Sequence, residues 1–282
     1  MHREIVREEI ERTAMTMTAP HTIGIIGATG RTGGWVLEEC LRKGHRCIAL
    51  ARSPRKLERF KESSPTYAAC GNKDLLRIVR GDATTDEGIG ALLEAKVDVI
   101  ISAVGSSKTA IVVKKTADAL VDALAAREEC DMPRIIWMTS TGINEATDQA
   151  KSYPLFGKPS RWFFGYGGFG WLQFKVLIPY IIGQELWEDM GHSEDVIRKS
   201  GGVSRRTVIV RPTNMWPISE EATFSQKWWA EGGDGKDLEY SFVEAEDAPP
   251  GKWIYRRAIA LALIDLVTDT SHDGTAKSLF AA

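Results

Sequence analysis

The stretch Gly27-Ala28-Thr29-Gly30-Arg31-Thr32-Gly33 (GATGRTG) decides the fold of this chain. It follows a short apolar run, residues 22–27, and precedes residues 32–43, where apolar side chains recur at helical spacing. A glycine loop between a strand and a helix is the context of a dinucleotide-binding turn. The first glycine permits a tight turn, the second lets a diphosphate approach the backbone, and the third lets the helix pack closely on the strand. The sequence therefore predicts that the amino end of the first helix, with Thr29, Arg31 and Thr32, binds phosphate groups.

Strand-like and helix-like segments alternate along the rest of the chain. The predicted strands are residues 22–27, 46–51, 75–80, 97–104, 134–139 and 206–211. Strands that are apolar on both faces and alternate with helices are typical of a parallel sheet covered on both sides, with right-handed crossovers. We therefore predict an α/β fold, a Rossmann-like doubly wound parallel sheet, in which residues 22–282 form a single domain with a small substrate-side part towards the carboxyl end.

Two segments stand apart from this alternation. Residues 1–21 are charged, lack the apolar core of a secretory signal and end at a proline-containing joint, which predicts a flexible N-terminal extension.

Residues 148–183 form an aromatic-rich insertion in which glycines separate many of the rings. Glycines supply hinge freedom and aromatic rings supply contact area, so the insertion is predicted to be a mobile lid or pocket wall for a flat, apolar substrate. A dimer contact, a membrane-surface patch and a satellite core are the alternatives. The later Trp228, Trp229 and Trp253 could join the same wall.

Composition and charge exclude several classes of protein. The chain has 282 residues, with 36 Lys and Arg against 38 Asp and Glu, so its formal charge of −2 gives no global attraction to nucleic acid or anionic lipid. No run of 18 apolar residues occurs, and no transmembrane segment is predicted. The cysteines show no CxxC and no metal-type spacing with histidine, which predicts no metal site, thiols in a reducing compartment and a cytoplasmic location. They are Cys40, Cys47, Cys70 and Cys130.

The end of the second predicted strand indicates which nucleotide is preferred. Arg52 stands where NAD-binding chains usually carry an Asp or Glu that binds the ribose 2′-OH. A cation suits the 2′-phosphate of NADP instead, and Arg31 could add a second cation on that side. We therefore predict NADP(H) as the preferred cofactor, with NAD as the alternative. In the competing interpretation, Arg52 belongs to a solvated helix start with Arg55 and Lys56.

Six motifs, taken in order, resemble a known family. They are GATGRTG at residues 27–33, ARSPRKL at 51–57, GDATT at 81–85, DVIISAVG at 98–105, IIWMTSTGI at 135–143 and VIVRPTNMW at 208–216. This set resembles the atypical short-chain dehydrogenase/reductases, and within them the NmrA-like and biliverdin-reductase-B-like branch. The resemblance implies a Rossmann fold that binds NAD(P). In addition, the aromatic insertion with WEDMGHSE at 187–194 is similar to the averufin-oxidase-A-like fungal subgroup, which implies secondary (polyketide) metabolism on an aromatic intermediate.

The resemblance also implies where the rest of the cofactor site lies. The implied positions follow successive strands, at the crevice where open α/β sheets bind their ligands. They are Asp82 and Ala83 near the adenine, Ala103, Val104 and Gly105 along the cofactor, Thr139 beside the nicotinamide, and Pro212, Thr213 and Asn214 closing over it.

The proton donor usual in this family is missing from the matching segment. The family's chemistry uses a Tyr-x-x-x-Lys pair on the helix before the sixth strand, and in extended members a Glu follows the Lys by four residues. Anchored on Glu194, the Lys position falls on Met190 and the Tyr position on Leu186. Neither side chain can transfer a proton, so another donor has to be sought.

Five side chains are candidates for the catalytic role. Asp189 and His192 are three residues apart, so on a helix they would share a face and could pair, with histidine titrating near neutral pH. A surface salt bridge is the alternative interpretation of that pair. Ser140 and Thr141, at the end of the fifth strand, and Tyr153, in the insertion, are the other candidates, although a hydroxyl needs a base in order to act.

Three functions are compatible with these features. The first is an NADP(H)-dependent oxidoreductase acting on a bulky apolar or aromatic carbonyl or quinone. The second is a non-catalytic NAD(P)-binding redox sensor or regulator that uses the insertion to hold a partner. The third is a redox-silent isomerase or cyclase in which Asp189 or His192 moves protons. The predicted partner is a small molecule and not a nucleic acid, and a homodimer is left open.

Overall fold

The computed structural model describes residues 20–71, 73–107, 110–141, 143, 183–215, 238–243 and 253–281. The predicted extension, apart from Pro20 and His21, and the predicted insertion, apart from Gly183, lie outside the described residues. Within these ranges, no helix is both long enough and apolar enough to cross a membrane.

Ten strands are present in the described ranges, and eight of them form one sheet. They are β1 (Thr22–Ile26), β2 (Arg46–Ala51), β3 (Leu76–Arg80), β4 (Val99–Ser102), β5 (Arg134–Met138), β6 (Thr207–Pro212), β7 (Asn214–Met215), β8 (Tyr240–Val243), β9 (Trp253–Ile254) and β10 (Ala276–Ala281). The large sheet has the order β3-β2-β1-β4-β5-β6-β10-β8, and β7 pairs with β9. All its neighbours run parallel except β8, which is antiparallel to β10. The predicted Rossmann-like doubly wound sheet is thereby confirmed.

Helices cover both faces of this sheet. They are α1 (Arg31–Arg42), α2 (Arg55–Ser63), α3 (Pro65–Ala69), α4 (Asp86–Leu93), α5 (Val113–Ala125), α6 (Gln184–Lys199), α7 (Gly202–Arg205) and α8 (Arg256–Asp265), with 3-10 turns at Lys73–Leu75 and Glu129–Asp131. Side chains of α1, α2 and α8 join one buried apolar cluster, and those of α4, α5 and α6 join another. Alternate residues of the strands divide between these clusters, as a sheet with two buried faces requires.

The sequence prediction differs from the structure at several boundaries. The strand predicted at 97–104 is shorter, Val99–Ser102, because the chain leaves the sheet at the edge that carries the candidate site. Helix α2 follows Pro54, which is its N-cap, and no side chain caps it. Strands β8 and β10 were not predicted at all. Strand β8 has only four residues, and both strands carry polar residues among the apolar ones, so neither stands out as a buried strand in the sequence.

Candidate functional site

The glycine loop lies between β1 and α1, and backbone contacts require two of its glycines. Gly27 has a φ of +85°, and a Cβ there would lie 2.9 Å from the carbonyl carbon of Ala103. A Cβ on Gly33 would overlap the carbonyl oxygen of Gly27 and lie 2.6 Å from its carbonyl carbon. The amide of Gly30 donates to the Gly27 carbonyl at 2.8 Å, which closes the turn. The tight turn and the close helix–strand packing expected from the 27-30-33 spacing are both present.

The amino end of α1 offers hydrogen-bond donors to a ligand. Its N-cap is Gly30, with no side-chain cap, and no acidic residue lies in its first turn. Thr32 and Gly33 are buried, yet among the described residues their amides donate to no protein acceptor. The first amides of a helix need a partner outside the helix, and the helix dipole adds positive potential there. These residues therefore fit a phosphate group placed at the end of α1.

The other predicted cofactor positions lie at the same edge of the sheet as the glycine loop. Ala103 directly follows β4, and its amide donates to the Ile26 carbonyl of β1 at 3.0 Å. Gly105 is exposed, with open space where a Cβ would lie. Pro212 ends β6, and Asn214 in β7 pairs with Trp253 of β9. This edge includes the switch point between β1 and β4, where open α/β sheets bind ligands. Contact of these residues with a cofactor stays a prediction.

On the predicted adenine side, Asp82 is held in a turn. Its Oδ1 accepts hydrogen bonds from the amide of Thr84 at 3.0 Å and from the Thr84 hydroxyl at 2.9 Å. Burial works to raise the pKa of Asp82, but these hydrogen bonds and the positive charge of Arg52 outweigh it and hold the pKa below its usual value. Ala83 packs partly buried against the cluster of α4, α5 and α6, and Arg52 is exposed.

The two predicted phosphate-binding arginines have different neighbours. The charge of Arg52 acts on Asp82, whereas the charge of Arg31 acts on Arg256, the first residue of α8. The sequence interpretation had set Arg31 and Arg52 on the same side of the cofactor. It missed Arg256, which no local motif distinguishes from the next residue, Arg257.

A buried ion pair joins α6 to β6 and contacts Thr139, the predicted nicotinamide position. Glu194 of α6 is 0% exposed, and Arg211 of β6 donates to it from Nε at 3.1 Å and from an Nη at 2.6 Å. The Thr139 hydroxyl donates to Glu194 Oε1 at 2.6 Å, and the Thr141 hydroxyl donates to the Arg211 carbonyl at 2.8 Å. The proton of each threonine hydroxyl is thus used inside the protein. Thr141 is also buried, and its role as a proton donor stays a prediction.

Asp189 binds the start of α5 and not His192. Its Oδ2 accepts from the Ser106 hydroxyl and from the Val113 amide, the latter at 2.9 Å, and its Oδ1 accepts from the Lys114 amide at 2.9 Å. Helix α5 has no side-chain cap of its own at Val112, so the carboxylate from α6 satisfies its amides and its dipole. His192 is exposed and, in the described part of the chain, makes no ion pair with Asp189. The predicted Asp189–His192 pair is therefore wrong.

The remaining catalytic candidates differ in what they contact. Ser140 is partly exposed, and its hydroxyl makes only a long contact, 3.5 Å, to the Thr141 carbonyl among the described residues. Tyr153 lies outside the described residues. Leu186 and Met190 are both on α6 and partly buried. Within the described ranges, no cluster of His, Cys, Asp or Glu could hold a metal ion.

A cavity of about 290 Å³ lies at the opposite edge of the sheet. Thr207, at the start of β6, and Ala276, at the start of β10, are among its lining residues. It is therefore remote from the glycine loop, and we place the candidate site at the loop, where the first amides of α1 have no described acceptor.

Comparison with known families places this fold and loop in one of them. Residues 27–215 match the family described as NAD(P)H-binding, and the chain belongs to that family. The resemblance to the atypical short-chain dehydrogenase/reductases is thereby confirmed at the level of the family. Comparison with curated protein sequences finds no match.

Solved structures share the architecture at low sequence identity. An oxidoreductase from Lactococcus lactis matches with a TM-score of 0.58 at 16% identity, covering 93% of this chain and 91% of its own. The anaerobillin reductase ChuY from Escherichia coli matches with a TM-score of 0.59 at 16% identity, covering 92% and 97%. A wide-type short-chain dehydrogenase/reductase from Veillonella parvula, solved with NADP, matches with a TM-score of 0.56 at 12% identity, covering 92% and 94%. At these identities the likeness shows the fold.

Proposed function

We propose that this protein is an NADP(H)-dependent oxidoreductase acting on a bulky apolar or aromatic carbonyl or quinone. The observation that carries the proposal is the amino end of α1, next to a sterically required glycine loop. There the amides of two buried residues, Thr32 and Gly33, donate to no described acceptor. Membership of the NAD(P)H-binding family supports the same ligand. When bound, the nicotinamide cofactor supplies or accepts a hydride.

The chain's own residues have distinct parts in this proposal. Loop residues 27–33 bind the diphosphate, and Arg52, exposed at the end of β2, binds a 2′-phosphate and so favours NADP(H) over NAD(H). Of the two candidate hydroxyls at the end of β5, that of Ser140 makes the longer hydrogen bond within the protein. In this proposal it donates a hydrogen bond to the substrate oxygen. Quinones suit such a site best, because positioning and exclusion of water can accelerate their reduction without a strong acid.

The substrate side belongs to the same proposal. Residues 148–183 form a wall for an apolar substrate in an otherwise single domain of residues 22–282. Trp253 supports this assignment, since it is 47% exposed on β9 next to the candidate cofactor edge. A cytoplasmic location and a role in polyketide tailoring are further proposals, which rest on the cysteine pattern and on the resemblance described above.

Turnover assays test the proposal directly. Purified protein with NADPH is expected to lose NADPH absorbance when a quinone or an aromatic ketone is added from a panel of such compounds. The Ser140→Ala variant is expected to lose ketone reduction while keeping most quinone reduction, because only the ketone needs a proton donated in the same step. A complete lack of substrate-dependent oxidation across the panel would contradict the oxidoreductase proposal.

A second candidate function is a redox sensor. Leu186 and Met190 favour it, because they stand on α6 where the family's Tyr and Lys are expected and neither transfers protons. A sensor must bind oxidised and reduced cofactor with different affinities, since a ligand shifts a conformation only through differential affinity. Equal calorimetric affinities for NADP⁺ and NADPH would remove this candidate. The isomerase alternative loses one of its two proposed proton carriers, since the Asp189 carboxylate accepts hydrogen bonds at the start of α5.

A further inference from the structure

Helices α1 and α8 lie side by side and run in the same direction. Lys43, one residue past α1, bonds to Asp265, the last residue of α8. Arg257 pairs with Glu39 at 2.6 Å and lies 5.6 Å from the ring centre of Trp35. Because the carboxyl ends are joined and the helices are parallel, both amino ends lie at the edge of the sheet that carries the glycine loop.

Helix geometry brings the first residues of the two helices close together. At a rise of 1.5 Å per residue, Arg31 lies about 18 Å along the axis from Lys43, and Arg256 lies about 14 Å from Asp265. The two first residues are therefore offset by about 4 Å along the axis, on helices whose axes are typically 8–10 Å apart. Two long arginine side chains can span that distance and reach a common group.

The electrostatics agree with this placement. Burial, and the positive charge of Arg31, lower the pKa of Arg256 to about 10. Two cations so close together add positive potential at the amino ends of the two helices, which favours binding of an anion there. The ion pair of Arg257 with Glu39 fixes the start of α8 against α1. It therefore also fixes the position of the neighbouring residue, Arg256.

We propose that Arg256 is a cofactor-binding residue that joins Arg31 in binding the diphosphate of the dinucleotide. This inference rests on the proposed function, because it assumes that the glycine loop binds NAD(P). The diphosphate is assigned in preference to the 2′-phosphate because Arg31 begins α1, the helix that follows the glycine loop, whereas Arg52 lies on the side of Asp82. Paired guanidinium groups suit a diphosphate, which offers several acceptor oxygens.

Calorimetric titrations of NADP⁺ and NAD⁺ test the assignment. Arg256→Gln is expected to weaken both nucleotides by a similar factor, about 10- to 100-fold, because both carry the diphosphate. Arg256→Lys keeps the charge but not the forked donors, and should weaken both by a smaller equal factor. Arg205 lies on α7, distant from the loop, and forms an exposed ion pair with Glu129. Arg205→Gln removes one charge from that pair and should change neither affinity. Thermal melting shows whether each variant is folded.

The outcomes separate this inference from the proposed function. If the wild-type protein binds neither nucleotide, the proposed function fails. If the wild type binds and folded Arg256→Gln binds equally well, the assignment of Arg256 is overturned. A loss confined to NADP⁺ would overturn the diphosphate assignment in favour of the 2′-phosphate. Should Arg256→Gln not fold, an equal weakening of both nucleotides by Arg256→Lys still supports the proposal, and unchanged affinities overturn it.

Discussion

Gly33 and Gly90 both lie inside helices, but only Gly33 faces another stretch of backbone. A Cβ on Gly33 would press into the Gly27 carbonyl, whereas a Cβ on Gly90 meets nothing within 4 Å. Gly33→Ala is therefore expected to abolish nucleotide binding and to lower the free energy of unfolding by about 1–3 kcal/mol. Gly90→Ala is the matched control and should raise it by about 0.5–1 kcal/mol through helix propensity. Urea unfolding and calorimetry measure both effects, and nucleotide binding by Gly33→Ala at wild-type affinity would contradict this account of the loop.

The Glu194–Arg211 pair permits a second prediction at the residue scale. Glu194→Gln leaves the Arg211 guanidinium buried without its carboxylate, and we expect a loss of roughly 3–5 kcal/mol in the free energy of unfolding. The control is Glu129→Gln, which breaks an exposed pair with Arg205 and should cause no measurable change. A loss of similar size in both variants would show that the buried position of Glu194 is not what matters.

Residue roles were predictable from the sequence where the deciding contact is local. Gly27 and Gly33 are constrained by backbone a few residues away, so their spacing alone indicated the turn. The partners of the Thr139 and Thr141 hydroxyls, Glu194 and the Arg211 carbonyl, were not predictable because they lie far along the chain. Only the fold brings such partners together, and no spacing rule anticipates them.

Among the helices, the start of α5 depends on a carboxylate from α6. Asp189→Ala removes the acceptor of the Val113 and Lys114 amides and of the Ser106 hydroxyl. We expect a loss of about 1–2 kcal/mol in stability, the value typical of a lost N-cap, and faster hydrogen exchange in residues 106–114. Because this segment continues from Ala103–Gly105, nucleotide affinity should fall as well.

Asp195→Ala is the control for that variant, since it removes one carboxylate from the same helix. It should leave exchange in residues 106–114 unchanged. Unchanged protection of these amides in Asp189→Ala would show that α5 does not need the cap. The sequence pattern placed Asp189 and His192 on one helix face. It could not show that the fold brings the start of α5 against Asp189, whose carboxylate then binds the amides there.

At the scale of the whole molecule, His45 makes stability depend on pH. Burial, followed by the positive charges of His21 and Lys43, lowers the pKa of His45 to about 4. The unfolded chain therefore binds more protons than the folded one below pH ~6.5, so this contribution is complete above that pH and is lost as the pH falls towards 4. By pH ~5 the loss amounts to about 2 kcal/mol.

His45→Gln removes this titration while keeping an acceptor for the His21 amide. Urea unfolding at pH ~7 and pH ~5 is expected to show a smaller decrease in stability for the variant than for the wild type, by about 2 kcal/mol. Equal decreases in the two proteins would mean that His45 is protonated as readily in the folded state as in the unfolded one.

The alternation of apolar strands and helices was enough to predict the class of fold and the succession of β1 to β6 along the chain. It was not enough to predict β8 and β10, whose positions in the sheet depend on pairing between distant segments. Nor did it indicate that α8 would run beside α1 and bring Arg256 to the loop, because helix neighbours are selected by packing and not by sequence order.

Strand β10 sits between β6 and β8, although it is the last described strand to leave the ribosome. Until residues 276–281 have emerged from the exit tunnel, the nascent chain exposes the open edge of β6. An exposed strand edge invites pairing with other chains. The newly made protein is thus expected to require shielding by chaperones late in translation, after its nucleotide-binding half has already formed.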